Sequence, residues 1–283
     1  MVTVSAAGWS DIGKVRKANE DSYLLNEALG LYVVADGMGG HRGGAVASRI
    51  AVETIDVSMV LLAGKSDEAD PAEQANNLPS PIDRLLQSIQ RANQKIHAKS
   101  VAEAALRGMG TTVSALYVAG ASLYTANVGD SPIYLLRNGQ IENLYTPHTL
   151  LHEYKKLPKS LEGRYPPGKL AHILTRAVGI RSDVKVDTVE TPCFAGDIVV
   201  LCSDGLSGKL SREEVRDMVY QNDLETACKK MTELALQRGG EDNITVIVVR
   251  VVAEKGGSNP SLIKRIAGFP AWIASLFGAR KRS

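Results

Sequence analysis

Four short acidic motifs, spread between residues 19 and 243 of a 283-residue chain, each stand where an apolar run meets a turn. They are Asn19-Glu20-Asp21, Asp36-Gly37-Met38-Gly39-Gly40, Ser203-Asp204-Gly205 and Glu241-Asp242-Asn243. Asp36 follows the strand-like run Leu31 to Ala35, Asp204 closely follows Ile198 to Cys202, and Asp242 comes just before the β-branched run Ile244 to Val252. Strand ends converge when sheets pack. Carboxylates gathered that way either repel one another or share cations, and oxygen donors without neighbouring Cys or His favour Mg²⁺ or Mn²⁺ over zinc. The residues by themselves point to a metal-dependent hydrolase.

Positioning such groups takes sheets, and the pattern along the chain supplies them. After Asp36 a Gly-rich turn leads into an Ala-rich stretch, 45–62, with helical periodicity. Residues 64–81 carry loop chemistry, and a second helix is expected from Ile82 to about Leu106, with Leu85, Ile89, Ala92 and Ile96 on its inward stripe. Alternating runs at 112–118 and 122–128 read as strands, and Ile133 to Arg137 turns through Asn138-Gly139 toward Ile141 as a hairpin. Ser211-Arg212-Glu213-Glu214 is a capping box opening a helix to about Tyr220, and Asp223 caps another to about Gln237. This order suggests antiparallel sheets with helices outside rather than regular βαβ winding.

Composition is compatible with a large folded core and argues against other classes. Hydrophobic residues make up 44% of the chain, and the formal charge is +2. Five of the 33 basic residues lie after Ser258, where no acidic residue occurs, so the remainder is net negative against its 31 acidic residues. That body has no basic stripe for nucleic acid. Cys193, Cys202 and Cys228 fit no zinc or redox spacing and read as reduced thiols. The N-terminus shows no secretory pattern, and a cytoplasmic location is expected.

Taken together, Arg16-x-x-Asn19-x-Asp21, Asp36-Gly37-Met38-Gly39-Gly40, Gly110-Thr111-Thr112, Val128-Gly129-Asp130-Ser131, Ser203-Asp204-Gly205 and Asp242-Asn243-Ile244-Thr245 resemble the metal-dependent protein phosphatases of the protein phosphatase 2C type, bacterial branch. Order and spacing agree over about residues 5–252. The resemblance implies an α+β fold, a four-layer sandwich of two antiparallel β-sheets flanked by α-helices, and phosphoserine or phosphothreonine in proteins as substrate. It implies two core divalent cations, Mn²⁺ or Mg²⁺, and a third, weaker one. Asp36 would bridge the core pair, the Gly37 carbonyl would join one ion, and Asp204 and Asp242 would hold the other. Glu20 and Asp21 would bind or orient water on the ions, and Asp130 would share the third ion with Asp204. A hydroxide bridging the two core ions would then attack phosphorus in line.

Other residues leave two readings each. Arg16 is a phosphate clamp, because a guanidinium fork matches two phosphoryl oxygens, or a solvated charge beside Lys14 and Lys17. His41 is either the acid that protonates the departing alkoxide or an exposed loop histidine, with a metal-held water serving instead. His148 and His152 stand four apart, but Thr149 occupies the place where a zinc protease needs Glu, so they read as surface or flap residues. Pro132 departs from the family pattern, as does the absence of Asp before His148.

The expected organisation is a phosphatase domain over 1–252 with a variable flap at about 147–180, a linker at 253–260 and a basic amphipathic tail at 261–283. Lys155, Lys156, Lys159, Arg164 and Lys169 make the flap basic, which either steers phosphoproteins or marks a solvated loop. The tail suits an anionic membrane surface, a partner groove or a helix packed on the body. A cognate Ser/Thr kinase is the expected counterpart. A metal-poor binding module would lack a core aspartate, and none is missing; an adaptor working through its tail would be revealed by truncation.

Overall fold

Period-two alternation in the long strands sorts their side chains into three separate cores. In a computed structural model of the chain, residues 2–39, 43–64, 79–155, 170 and 172–252 are described. The strands are β1 (Thr3–Asp11), β2 (Asp21–Asn26), β3 (Leu31–Met38), β4 (Gly110–Thr111), β5 (Val113–Ala119), β6 (Ser122–Val128), β7 (Ile133–Arg137), β8 (Gln140–Asn143), β9 (Asp187–Pro192), β10 (Ile198–Cys202) and β11 (Ile244–Val252). The helices are α1 (Gly43–Leu62), α2 (Pro81–Ala102), α3 (Leu150–Tyr154), α4 (Asp204–Ser207), α5 (Arg212–Gln221) and α6 (Leu224–Gln237), with a 3₁₀ turn at Ala104–Leu106.

One sheet has the order β1-β11-β10-β7-β8 and the other β2-β3-β5-β6-β9, with β4 beside the end of β3; their neighbouring strands pair antiparallel. Leu31, Val33 and Ala35 of β3 pack with Ile55, Met59, Leu85 and Ile89 of α1 and α2. Ile244, Val246 and Val248 of β11 pack with Val215, Val219, Met231 and Ala235 of α5 and α6. The alternate residues Tyr32, Val34, Val199, Leu201, Ile247 and Val249 meet between the sheets. Helix, sheet, sheet and helix are thus stacked as the expected four-layer α+β sandwich.

The helices form where their capping chemistry directs. Ser80 accepts from the Asp83 N–H with Pro81 opening α2, Ser211 and Glu214 exchange both bonds of a capping box, and Asp223 caps α6. The second expected helix ends earlier than Leu106, at Ala102, where Glu103 turns extended and a 3₁₀ turn follows. Four strands were not anticipated from sequence: the two-residue β4, and β1, β2 and β9, which are sheet edges with weak apolar alternation. The three cysteines are free, with Cys202 and Cys228 buried. The tail, the linker and most of the basic flap, including Lys156, Lys159, Arg164 and Lys169, lie outside the described residues, as does His41.

Candidate metal centre

The inter-sheet rows are apolar in the middle of the sandwich and turn polar at one end. Along β3 the row runs Tyr32, Val34, Asp36; along β5, Leu116, Ser114 and then Thr112 just before the strand; along β10, Val199, Leu201 and then Ser203 just after it; along β11, Val249, Ile247, Thr245. Alternation carries each of these polar groups into the seam between the sheets. A tight set of hydrogen bonds holds them there. Thr112 Oγ1 accepts from the Asp36 N–H at 3.0 Å and lies 2.7 Å from Ser131 Oγ, while Thr111 Oγ1 donates to the Asp36 carbonyl at 2.9 Å.

Asp21 faces Asp36 directly across the β2–β3 pairing. Its Oδ2 accepts from Thr245 Oγ1 at 2.6 Å and Ser203 Oγ at 2.9 Å, tying the second sheet to the first. Asn243 does the same for the neighbouring motif: its Oδ1 accepts from the Glu20 N–H, and its Nδ2 donates to the carbonyls of Ile12 and Ala18. Gly37 is required by close approach, since a Cβ there would stand 2.2 Å from the Gly44 carbonyl oxygen and 2.5 Å from that of Glu20.

Arg16, Glu20, Asp36, Gly37, Asp130, Asp204 and Asp242 line one open cleft of about 1250 Å³, together with Lys17, His172, Arg176, Arg181, Asp183 and Lys185. Asp21 lies behind this cleft and borders a separate hollow toward α1. Burial, and then the charges of Asp21, Asp204 and Asp242, push Asp36 well above the usual carboxylate range. Burial and the Asp242 charge raise Asp204. Asp130 is pushed up to about 6 by burial and by Asp204, and Asp21 to about 7 chiefly by burial, against the bonds from Thr245 and Ser203.

These carboxylates fit divalent cations. They share one polar seam, they raise one another's proton affinity, and Asp21 Oδ1 is buried with no hydrogen-bond partner. Among the described residues no three acidic, His or Cys side chains already converge as a closed ligand set. Arg16 Nη2 donates to Asp242 Oδ2 at 2.7 Å. The structure therefore places Arg16 at the cleft, but paired.

His148 corrects the expectation of a surface or flap histidine. It is buried, and it precedes α3 rather than sharing a helix face with His152. Its Nδ1 accepts from the Gly129 N–H at 3.0 Å and its Nε2 lies 3.1 Å from Asp187 Oδ2. Sequence reasoning also gave no role to Arg176, Arg181 or Lys185 on the cleft wall, since they lie in a stretch without periodicity that only the fold brings near the carboxylates.

Residues 14–243 match the family model described as protein phosphatase 2C. The chain belongs to that family. It is 34% identical over 252 residues to the serine/threonine phosphatase Stp of Listeria welshimeri, covering 87% of this chain and 96% of that protein. It is 32% identical over 267 residues to the serine/threonine protein phosphatase PstP of Mycobacterium tuberculosis, covering 93% of this chain and 48% of that longer protein. The crystal structure of the PstP catalytic domain with two manganese ions superposes with a TM-score of 0.74 at 32% identity, over 89% of this chain and 100% of that domain. As a protein phosphatase 2C member, the chain has the two-sheet sandwich of the structures it matches.

Proposed function

We propose that this protein is a metal-dependent serine/threonine phosphatase that removes phosphate from phosphoserine and phosphothreonine in proteins and so reverses a Ser/Thr kinase. The observation that carries this reading is the gathering of Asp36, Asp204, Asp242, Glu20 and Asp130 in one cleft whose walls also carry Arg16, Lys17, Arg176, Arg181 and Lys185. Acidic groups at the floor suit cations, and basic groups on the walls suit a phosphorylated chain.

Asp36, the Gly37 carbonyl, Asp204 and Asp242 would hold two Mn²⁺ or Mg²⁺ ions, Glu20 and Asp21 would orient water around them, and Asp130 would contribute to a third, weaker site. When bound, the cations supply a water acidified to a nucleophile near neutral pH and neutralise charge on the phosphoryl oxygens. The chain does the positioning. Thr111 and Thr112 fix the backbone of Asp36, and Asn243 fixes Glu20 beside it. Arg16 presents a guanidinium of five N–H donors at the cleft, one of them on Asp242, so phosphoryl oxygens can be gripped by the rest. His41 remains the side-chain candidate for protonating the departing alkoxide.

Hydrolysis of a phosphothreonine peptide, with Mn²⁺, with Mg²⁺ and with chelator, tests the proposal. Phosphate release should need the cation and fall by at least about a hundredfold in Asp204→Asn. Folded, metal-supplied protein that releases no phosphate from several phosphopeptides would refute it.

A further inference from the structure

His148 stands at a junction that the hydrolytic chemistry does not call on. The ladder between β5 and β6 ends at Val128, and β7 begins at Ile133, so Gly129 to Pro132 must be held by other bonds. His148 provides two of them. Its Nδ1 accepts from the Gly129 N–H at 3.0 Å, and its own N–H donates to the Gly129 carbonyl at 2.9 Å. On the other side its carbonyl accepts from the Thr175 N–H at 2.8 Å. Thr175 and Arg176 are cleft-wall residues, and Asp130 follows Gly129 directly.

The ring's protonation follows from these bonds. A backbone N–H directed at Nδ1 requires that nitrogen to be bare, so Nε2 carries the proton and donates to Asp187 Oδ2 at 3.1 Å. With Nε2 protonated, Arg176 Nη1, which stands 3.0 Å from it, makes no hydrogen bond there and donates instead to the other oxygen, Asp187 Oδ1, at 2.7 Å. Burial is the main influence lowering the His148 pKa, which agrees with a neutral ring. Asp187 thus orients the imidazole and anchors Arg176, while the imidazole holds the peptide that carries Asp130. A buried histidine used only for packing would not need backbone partners on both sides of the cleft.

We propose that His148 is a positioning residue: it seats the Asp130 carboxylate and locks the Thr175–Arg176 segment to it, so cation affinity at Asp130 and the placement of that wall are set together. The proposal rests on the reading of Asp130 as a cation ligand. Outer groups of this kind typically change metal affinity by about 10–100-fold when removed.

The test is titration of the metal-free full chain with Mn²⁺ alone, followed by the resonance of free Mn²⁺, together with hydrogen exchange at the Gly129 amide. In His148→Asn the side-chain amide reaches about as far as Nδ1 and retains an acceptor for Gly129; in His148→Gln it reaches about as far as Nε2 and does not. The weakest Mn²⁺ step should stay within about threefold of wild type in His148→Asn and weaken about tenfold or more in His148→Gln, with faster Gly129 exchange only in the latter. The two tighter steps should be unchanged. A weak step unaltered in His148→Gln, or equal loss in both variants, overturns the proposal. Wild-type protein that takes up only two equivalents sinks the reading of Asp130 and the proposal with it, whereas phosphatase activity is judged separately by the phosphopeptide assay. If His148→Gln lacks a cooperative thermal transition, Asp187→Ala at a partly exposed position decides by the same titration, and an unaltered weak step overturns the proposal.

Discussion

The acidic side chains of the seam are costly residues to fold around. A carboxylate raised above its unfolded pKa binds protons more tightly in the native state, so its contribution to stability is present at low pH and is lost as pH rises through the folded value. Asp21, raised to about 7, carries that loss up to neutrality in protein without cations, and Asp36, held well above the usual carboxylate range, acts in the same direction. His148, lowered by burial, works in the other direction below about pH 6.5, so the clean comparison lies above that point. Chelated protein should melt at a higher temperature at about pH 6.5 than at about pH 8, and saturating Mn²⁺ should remove or reverse the difference because binding needs deprotonated carboxylates. Calorimetry at the two pH values, with and without metal, checks this. Steric economy is equally local. A Cβ on Gly205 would stand 2.0 Å from the Asn243 carbonyl oxygen, so Gly205→Ala should lower stability by about 1–3 kcal/mol, read from the denaturant midpoint.

At the level of elements, the long interior strands were legible, and of the four edge strands only β8, announced by the Asn138-Gly139 turn, was. Ile198 to Cys202 and Ile244 to Val252 coincide with β10 and β11 because both faces of those strands are buried, which makes their sequences continuously apolar. β9 reads Asp-Thr-Val-Glu-Thr-Pro and β1 Thr-Val-Ser-Ala-Ala-Gly-Trp-Ser-Asp, patterns shaped by one-sided pairing rather than by a core. The site divides the same way. The gathering of Asp36, Asp204 and Asp242 in one cleft was legible because they flank strong strands in motifs, whereas His148 was misjudged because its partners, Gly129, Thr175 and Asp187, are brought to it only by tertiary structure. Asn243 was noticed as motif but given no task, although it bonds three separate backbone groups near the N-terminal edge. Asn243→Ala should cost about 2–4 kcal/mol, given about 1 kcal/mol per hydrogen bond and more for groups left unpaired, and should weaken cation binding through Glu20. Urea denaturation and a Mn²⁺ titration measure the two effects.

For the molecule as a whole, the family match covers residues 14–243 and the last described strand ends at Val252. A chain ending at Val252 should keep at least about half of the phosphopeptide activity, since every described strand, helix and cleft residue lies before that point. Comparing it with the full chain on vesicles containing anionic lipid separates a role of residues 261–283 in location from one in catalysis. No described helix is long and apolar enough to cross a membrane.

The first strand of the sandwich pairs along its full length with the last, Thr3 opposite Val252 and Asp11 opposite Ile244. Asp242 and Asn243 are likewise among the final pieces of the body to leave the ribosome, long after Glu20 and Asp21. Until β11 arrives, β1 has no partner, Asp21 lacks Thr245, and Glu20 lacks Asn243. A nascent chain, or one terminated before β11, is therefore an inert one: that last strand must be made before the cell gains any power to erase phosphate marks, and copies cut short of it impose no stray signal.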